Sequence, residues 1–331
     1  MERLHRRIVA IILLTIIFTP ITLASAAEKN EENEENKELD EATLRKGLYQ
    51  KTEALTQVPW YLIAAMDQYE RNIKKTNDED RITGIQIPNE EWYGILPPHA
   101  NHNEKESTLN LFEGIGKDGN GDDIADPTND EDVLYTLAME IQQNLAEDQK
   151  LESALTSYYE REKASQIITK IARMFKHFNT VDLSERAFPI PKWNNYSYRS
   201  TWGDTRGYGG RRIHEGTDIF AGYGTPVRST SYGVVEIKGW NRFGGWRIGI
   251  RDSYNIYHYY AHLNAFAEDI KEGDIVEPGD VIGYVGASGY GPEGTSGKFP
   301  PHLHYGMYKD NGKNEWAYDP YPYLKRWERN R

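Results

Sequence analysis

The sequence contains no cysteine among its 331 residues, so no disulfide bond can brace the fold. It also lacks a surplus of basic residues, since its formal net charge is −12. A nucleic-acid-binding protein needs a positively charged face, so this charge balance argues against that class. After residue 26 no apolar run reaches the length of a membrane span. Stability must therefore come from hydrophobic cores, and the chain is long enough for two of them.

The N-terminal segment, residues 1–26, has the three parts of a secretory signal. A basic start precedes an apolar run over residues 8–18, and residues 24–26 read Ala-Ser-Ala, a small-residue cleavage site. We expect cleavage there, and we expect the mature protein to be exported and either secreted or associated with the cell wall. The alternative is an uncleaved segment that anchors the protein in a membrane.

Composition divides the remainder of the chain into three segments. Residues 27–40 are rich in Glu, Asn and Lys and nearly free of apolar residues, which predicts a disordered acidic tether. Over residues 41–187 apolar residues recur with helical spacing, and this segment is strongly acidic. Over residues 188–331 short apolar alternations are separated by Gly, Pro and Asn, which predicts short antiparallel strands. The sequence therefore predicts a multidomain α + β protein, with an all-α domain followed by an all-β domain.

Histidine and aspartate residues of the last segment have the spacing of a metal site. Side chains two or four residues apart in a strand point to the same face. His302 and His304 are two apart in Pro-Pro-His-Leu-His-Tyr-Gly, and His214 and Asp218 are four apart in His-Glu-Gly-Thr-Asp. Two imidazoles and one carboxylate from separate strands form a three-ligand zinc site with an open fourth position, which is the catalytic arrangement. A further histidine would remain nearby for proton transfer.

Together with Tyr260-Ala-His262-Leu, these motifs resemble those of the lysostaphin- and LytM-type zinc peptidases, which cut the peptides of bacterial peptidoglycan. The resemblance runs from about residue 188 to about residue 320. It implies a small antiparallel domain of two sheets, with a groove floored by one of them. It also implies one Zn²⁺ ion and two catalytic histidines that do not bind it. The implied ligands are His214, Asp218 and His304, and the implied catalytic histidines are His262 and His302.

In such a site a histidine beside the metal takes a proton from water and later protonates the leaving amine. Which of His262 and His302 takes which step stays open. Tyr208, in the glycine-rich stretch before His214, is a candidate donor to the developing oxyanion. His258 shares the parity of His262 but lies four residues away along the strand, about 13 Å. We expect His258 to be an ordinary residue of the sheet surface.

The helical segment carries a second resemblance. Residues 58–70 resemble the first active-site helix of lysozyme-like lytic transglycosylases, whose general acid falls on Glu70. Arg71 stands where that family usually has Ser, and an arginine beside Glu70 would lower its pKa, the wrong direction for a general acid. Two interpretations stay open. The lysozyme-like domain either cleaves glycan, or it holds glycan and positions the enzyme.

An acidic loop over residues 118–126 resembles the start of a calcium-binding loop. Asp118, Asn120 and Asp122 place oxygen ligands at alternate positions. The sixth position is Asp123 rather than the Gly that the sharp turn needs, and no Glu closes the loop at the twelfth. The two interpretations are a bound Ca²⁺ ion and a solvated acidic turn that caps a helix beginning near Asp130.

The order of the segments resembles the L-Ala–D-Glu endopeptidases of endospore-forming bacteria. The resemblance implies that the substrate is peptidoglycan and that the L-Ala–D-Glu bond of its stem peptides is cut during spore cortex maturation, in the space around the forespore. Competing bonds are D-Ala–diaminopimelate and glycyl-glycine crosslinks. Two alternatives to a pure peptidase stay open: a dual enzyme that also cleaves glycan through Glu70, and a catalytically silent module that binds the cell wall.

Overall fold

The computed structural model describes residues 40–74, 81–96, 104–148, 150–206 and 212–329. The predicted signal segment, all but the last residue of the predicted tether, and Tyr208 lie outside these residues. The helices are α1 (Glu41–Thr56), α2 (Trp60–Ile73), α3 (Asn89–Trp92), α4 (Glu106–Leu111), α5 (Asp130–Asp148), α6 (Leu151–Tyr159), α7 (Glu162–Phe178) and α8 (Tyr321–Arg329). None of these described helices is both long and apolar enough to cross a membrane.

Strands follow the first seven helices along the chain. They are β1 (Tyr196–Tyr198), β2 (Thr205–Arg206), β3 (Arg212–Ile213), β4 (Thr217–Ala221), β5 (Pro226–Arg228), β6 (Gly233–Asn241), β7 (Gly245–Arg251), β8 (Ile256–Phe266), β9 (Ile275–Val276), β10 (Val281–Val285), β11 (His302–Asp310) and β12 (Glu315–Tyr318). The predicted succession of a helical region and an antiparallel β region is confirmed.

Helices α2 and α7 form the centre of the helical region. Residues 62–69 of α2 are buried, and α7 buries Ile167, Ile168, Ile171 and Phe175, which follow the helical period. The two helices pack against each other along these faces. Asn179, in the left-handed conformation with φ of 53°, ends α7. The lysozyme-like character of this region stays a prediction.

Ten of the described strands belong to one antiparallel network. Its main path runs β1-β4-β11-β8-β7-β6-β9, while β10 pairs with β5 and β8, and β12 pairs with β11. Strands β2 and β3 form a separate two-stranded ribbon. The antiparallel prediction is therefore confirmed. The division into two packed sheets stays a prediction, because hydrogen bonds connect these ten strands continuously.

The register of the central strands sets one row of side chains across the sheet. Asp218 on β4 lies opposite His304 on β11, and His304 lies opposite Ala261 on β8. Residues opposite each other in an antiparallel pair point to the same face. Asp218 and His304 are therefore neighbours on one face because of strand register alone.

The helical region packs directly on this sheet. Val234 of β6 belongs to the same hydrophobic cluster as Ile171 of α7. Arg161, just before α7, reaches the buried carboxylate of Asp310 at the end of β11, with nitrogen–oxygen distances of 2.9 and 2.6 Å. Apolar burial and a bidentate ion pair thus hold the helices against the strands that carry the site.

Candidate metal centre and its groove

Three ligand atoms from β4, β11 and the turn before β4 converge on one point. Nε2 of His214 lies 2.8 Å from Nδ1 of His304 and 3.0 Å from Oδ1 of Asp218. Nδ1 of His304 lies 3.1 Å from the same oxygen. Among the described residues, no other group of three His, Asp or Glu side chains lies close enough to hold a metal ion. The structure thus brings together the three ligands that the sequence predicts.

This donor set fits zinc. Imidazole nitrogen and carboxylate oxygen are common zinc ligands, and a tetrahedral ion with bonds of about 2.0–2.2 Å separates its ligand atoms by about 3.3–3.6 Å. The three observed separations, 2.8, 3.0 and 3.1 Å, fall just short of that spacing. Outward shifts of a few tenths of an ångström would therefore seat the ion. Three protein ligands leave a fourth position for water or substrate.

Thr201 orients two of these ligands. Nδ1–H of His214 donates to the backbone carbonyl of Thr201 at 2.7 Å, which leaves Nε2 as the unprotonated ligand atom. The hydroxyl of Thr201 accepts a hydrogen bond from the backbone N–H of Asp218 at 3.0 Å. Thr201 is not predicted from the sequence. A backbone carbonyl carries no signal in the sequence, and the hydroxyl lies 17 residues from its partner.

The electrostatics of the site keep Asp218 and His304 in the forms that bind metal. Burial alone would raise the pKa of Asp218, but its close contacts with His214 and His304 outweigh burial and hold that pKa well below its ordinary value. Burial lowers the pKa of His304, although the Asp218 carboxylate acts in the opposite direction. An ionised carboxylate and a neutral imidazole are the states that metal coordination requires.

His302 and His262 lie beside the three ligands. Nε2 of His302 is 3.7 Å from Oδ1 of Asp218, and the rings of His262 and His302 are 4.8 Å apart. Each ring donates its Nδ1–H to a backbone carbonyl at 2.8 Å, His302 to Pro300 and His262 to Ser288. This donation leaves Nε2 as the nitrogen of each ring that can take a proton. The roles of the two histidines stay predictions.

His262 has a left-handed backbone, with φ of 63°. This conformation is uncommon for a residue other than glycine and is often found at functional sites. It coincides with irregular pairing of β8 with both β7 and β10. The N–H of His262 donates to the carbonyl of Gly244 at 2.7 Å, which holds the distortion in place. Burial lowers the pKa of His262 well below its ordinary value, and the neighbouring His302 acts in the same direction to a smaller extent. The imidazole of His262 is therefore neutral.

The prediction for His258 is wrong. His258 is fully buried in the sheet core, where Nδ1 accepts from the hydroxyl of Tyr305 at 2.7 Å and Nε2–H donates to Asp252 at 3.2 Å. Strict alternation would put His258 and His262 on one face. The distorted backbone at His262 breaks the alternation, so His262 lines the groove while His258 points to the opposite side.

The metal centre lies in a groove of about 450 Å³. Its wall includes the turn between β6 and β7 and the aromatic side chains of β8 and β11. The lining residues are Ile213, His214, Glu215, Asn241, Phe243, Gly244, Arg247, Tyr257, Tyr259, His262, Tyr290, His304, Tyr308 and Glu315. An open groove with a metal centre and many aromatic side chains suits an extended peptide rather than a small buried ligand.

Glu70 lies in α2, away from this groove. Its carboxylate pairs with Lys74 at 2.9 Å. Arg71 is directed to Asp67, at 3.1 Å, rather than to Glu70. An ion-paired carboxylate is a poor general acid, so these contacts give no support to glycan cleavage through Glu70.

The side chains of the acidic loop point to backbone amides. Asp118 accepts from the N–H groups of Gly121 at 2.7 Å and Asp123 at 2.8 Å, and Asn120 accepts from the N–H of Asp122 at 2.9 Å. Asn129 caps α5 through the N–H of Glu131 at 2.8 Å. These hydrogen bonds agree with the interpretation as a turn that caps a helix, and Ca²⁺ in this loop stays a prediction.

Comparisons with known proteins agree with this geometry. Residues 212–320 match the model of peptidase family M23. Over 289 residues the chain is 56% identical to the L-Ala–D-Glu endopeptidase of Bacillus subtilis (strain 168), a match that covers 86% of this chain and 88% of that protein. It is 36% identical over 115 residues to lysostaphin of Staphylococcus staphylolyticus, which covers 34% of this chain and 22% of that protein.

Among solved structures, the antimicrobial peptidase lysostaphin from Staphylococcus simulans is 31% identical, with a TM-score of 0.36. The match covers 44% of this chain and 56% of that chain. The family assignment rests on the B. subtilis relative, which is similar over most of both chains. The chain belongs to peptidase family M23.

Proposed function

We propose that this protein is a zinc endopeptidase that hydrolyses the L-Ala–D-Glu bond in the stem peptides of peptidoglycan. The convergence of His214, Asp218 and His304 at the floor of an open groove carries the proposal. The bond is the one named for the B. subtilis relative, which matches this chain over 86% of its length.

His214, Asp218 and His304 would hold the ion. Zinc in such a site polarises the scissile carbonyl and lowers the pKa of a water molecule towards neutrality. The chain supplies the groups that move protons. His262 and His302 are fixed by carbonyls at Nδ1, so each can take a proton at Nε2 and return it to the amine of the leaving peptide.

Burial lowers the pKa of His262 and so favours its neutral form, which is the form that accepts a proton. The groove also limits water around the reacting bond, because aromatic rings of Tyr259, Tyr290 and Tyr308 line it. Tyr208 stays a candidate oxyanion donor on the strength of its place in the sequence.

The finer assignments are also proposals. Residues 1–26 would direct export and be removed, residues 27–40 would form a tether, and a helical lysozyme-like domain over 41–187 would precede the peptidase domain over 188–331. The order of these segments supports a role in spore cortex maturation, outside the cytoplasm.

Digestion of purified peptidoglycan, followed by mass spectrometry of the products, tests the proposed bond. The zinc-loaded protein should release peptides that begin with D-Glu and leave single L-Ala residues on muramic acid. Asp218→Ala should give neither product. New amine termini on glycine or on diaminopimelate, with none on D-Glu, would assign the enzyme to a different bond.

A further inference from the structure

Arg247 lies in the groove near the metal ligands. It is on β7, next to the turn between β6 and β7, and it lines the same 450 Å³ space as His304. Its guanidinium lies 5.9 Å from the centre of the Tyr259 ring, and the His304 ring lies 5.9 Å from the same centre. The guanidinium and the His304 ring are therefore both neighbours of Tyr259.

Strand register explains this position. β7 pairs with β8, which pairs with β11, so Arg247 is two strands away from His304. Neighbouring strands are about 4.8 Å apart, which puts the two backbones about 10 Å apart. Ala261 on β8 lies opposite His304. Its small side chain leaves space in the groove between Arg247 and His304.

No described carboxylate lies within 4 Å of the Arg247 guanidinium, which contacts the Tyr259 ring. Arg251, on the same strand, is paired by contrast, because it lies 3.1 Å from Glu236. Among the described residues that line the groove, Arg247 alone carries a permanent positive charge. A half-buried cation that faces an open groove suits an anionic group of the substrate.

We propose that Arg247 binds the free carboxylate of the glutamate residue at the scissile bond and so selects acidic stem peptides. This assignment rests on the proposed function. A glutamate residue within a peptide uses one carboxyl group in the chain and keeps the other free. The carbon of that free carboxylate lies about 3–5 Å from the carbonyl carbon of the preceding peptide bond, the shorter distance applying to an α-carboxyl and the longer to a γ-carboxyl.

The distances are compatible. With the scissile carbonyl at the metal centre, a carboxylate about 3–5 Å further along the groove comes within hydrogen-bonding reach of a long arginine side chain rooted about 10 Å from His304. The planar guanidinium can hold a carboxylate through two parallel hydrogen bonds, which an uncharged amide cannot accept. Arg247 would thus set specificity and take no part in the bond cleavage itself.

Two synthetic peptides test the assignment. Both contain the L-Ala–D-Glu bond, one with the free glutamate carboxylate and one with that group as a carboxamide. The zinc-loaded wild-type protein should cleave the acidic peptide with a kcat/KM about 10- to 100-fold higher. Arg247→Gln should lose this preference because cleavage of the acidic peptide slows, while cleavage of the carboxamide peptide stays at the wild-type rate.

Two variants serve as controls. Arg247→Lys keeps the charge and should retain part of the preference. Arg242→Gln removes an exposed arginine from the adjacent turn, outside the groove lining, and should retain all of it. If the wild-type protein cleaves both peptides equally, or if Arg247→Gln lowers kcat/KM for both by the same factor, the assignment of Arg247 is overturned and the proposed function is not. Cleavage of neither peptide by the zinc-loaded wild-type protein would overturn the proposed function and the assignment with it.

Discussion

Nε2 of His302 lies 3.7 Å from Oδ1 of Asp218, whereas Nδ1 of His304, two residues further along the same strand, lies 3.1 Å from that oxygen. The shorter distance suits a shared metal, and the longer one suits a proton acceptor beside it. His302→Ala should therefore keep its zinc and lose turnover by about 10²- to 10⁴-fold. Elemental analysis of zinc per chain, with a peptidoglycan digestion assay, measures both quantities.

The ligand variants provide the contrast. His304→Ala and Asp218→Ala should lose zinc and turnover together, and His177→Ala, which removes an exposed histidine of α7, should lose neither. Full turnover in His302→Ala, or bound zinc at the wild-type level in Asp218→Ala, would contradict this division of roles.

Thr201→Val should weaken zinc binding without removing a ligand. The substitution deletes the hydroxyl that accepts from the N–H of Asp218 at 3.0 Å, while the carbonyl that orients His214 remains. Loss of one such supporting contact lowers metal affinity about 10- to 100-fold. Competition with a chelator of known affinity gives the zinc Kd, and Thr201→Ser, which keeps the hydroxyl, should stay near wild type. Equal zinc affinity in Thr201→Val and Thr201→Ser would mean that the hydroxyl does not support the metal site.

Much of the metal centre could be predicted from sequence because strands have a period of two. Parity places His302 with His304 on β11, and the strand register then puts Asp218 opposite His304. His214 lies in the turn before β4, outside the described strands, so strand parity does not account for its position beside Asp218. The residue types identify the chemistry, since imidazole and carboxylate side chains are what zinc binds. Glycine- and proline-rich stretches around them indicate loops and short strands rather than helices.

The errors and omissions come from contacts between distant residues. Parity fails at His262, because a contact with Gly244 and irregular pairing with β7 and β10 hold its backbone at φ of 63°. His258 therefore points into the core, contrary to prediction. The carbonyls of Thr201, Ser288 and Pro300 orient three histidines, yet every residue has a carbonyl and none is marked in the sequence.

Glu70→Gln should change neither the peptidase activity nor the glycan products of digestion. Glu70 is paired with Lys74 at 2.9 Å, and it is absent from the lining of the groove that holds the metal centre. Mass spectrometry of digested peptidoglycan should show no anhydromuramic products with either the wild-type or the variant protein. Anhydromuramic products that appear with the wild-type protein and disappear with Glu70→Gln would establish a second, glycan-cleaving activity.

His258 should make the protein less stable in mild acid. Burial lowers the pKa of His258 below its ordinary value of 6.5, although the hydrogen bond to Asp252 acts in the opposite direction. Above pH 6.5 the residue is neutral in both states and contributes no pH dependence. Below pH 6.5 the unfolded chain binds a proton that the folded protein refuses, so the free energy of unfolding falls by up to about 1.4 kcal/mol per pH unit.

Urea unfolding between pH 5 and pH 8 at fixed zinc concentration measures this contribution. His258→Gln should be less stable than wild type at pH 8, because it loses buried hydrogen bonds with Tyr305 and Asp252, and its stability should fall less steeply below pH 6.5. His177→Gln, an exposed substitution, should keep the wild-type slope. Parallel pH profiles for wild type and His258→Gln would contradict the prediction.

Arg161→Met should loosen the contact between the helices and the sheet. Asp310 is fully buried and accepts two hydrogen bonds from Arg161, a partner 149 residues away in sequence. Removal of the guanidinium leaves a buried carboxylate with Lys163 at 3.6 Å as its nearest remaining cation. Loss of one partner of a buried pair costs about 3–5 kcal/mol. We expect about 2–4 kcal/mol, because Arg161 is one-fifth exposed and Lys163 remains.

The sign of the pH dependence separates this ion pair from simple packing. Burial raises the pKa of Asp310, but the hydrogen bonds from Arg161 outweigh it and lower that pKa below its ordinary value of 3.8. The stabilisation is thus fully present above pH 3.8 and is lost as the pH falls through the folded-state pKa. The difference in urea midpoint between wild type and Arg161→Met should be large at pH 7 and should shrink below pH 4. Arg199→Met, which breaks an exposed ion pair with Asp204 at 3.4 Å, should change the urea midpoint little at either pH. If Arg161→Met lowers the urea midpoint equally at both pH values, its effect comes from lost packing rather than from the ion pair.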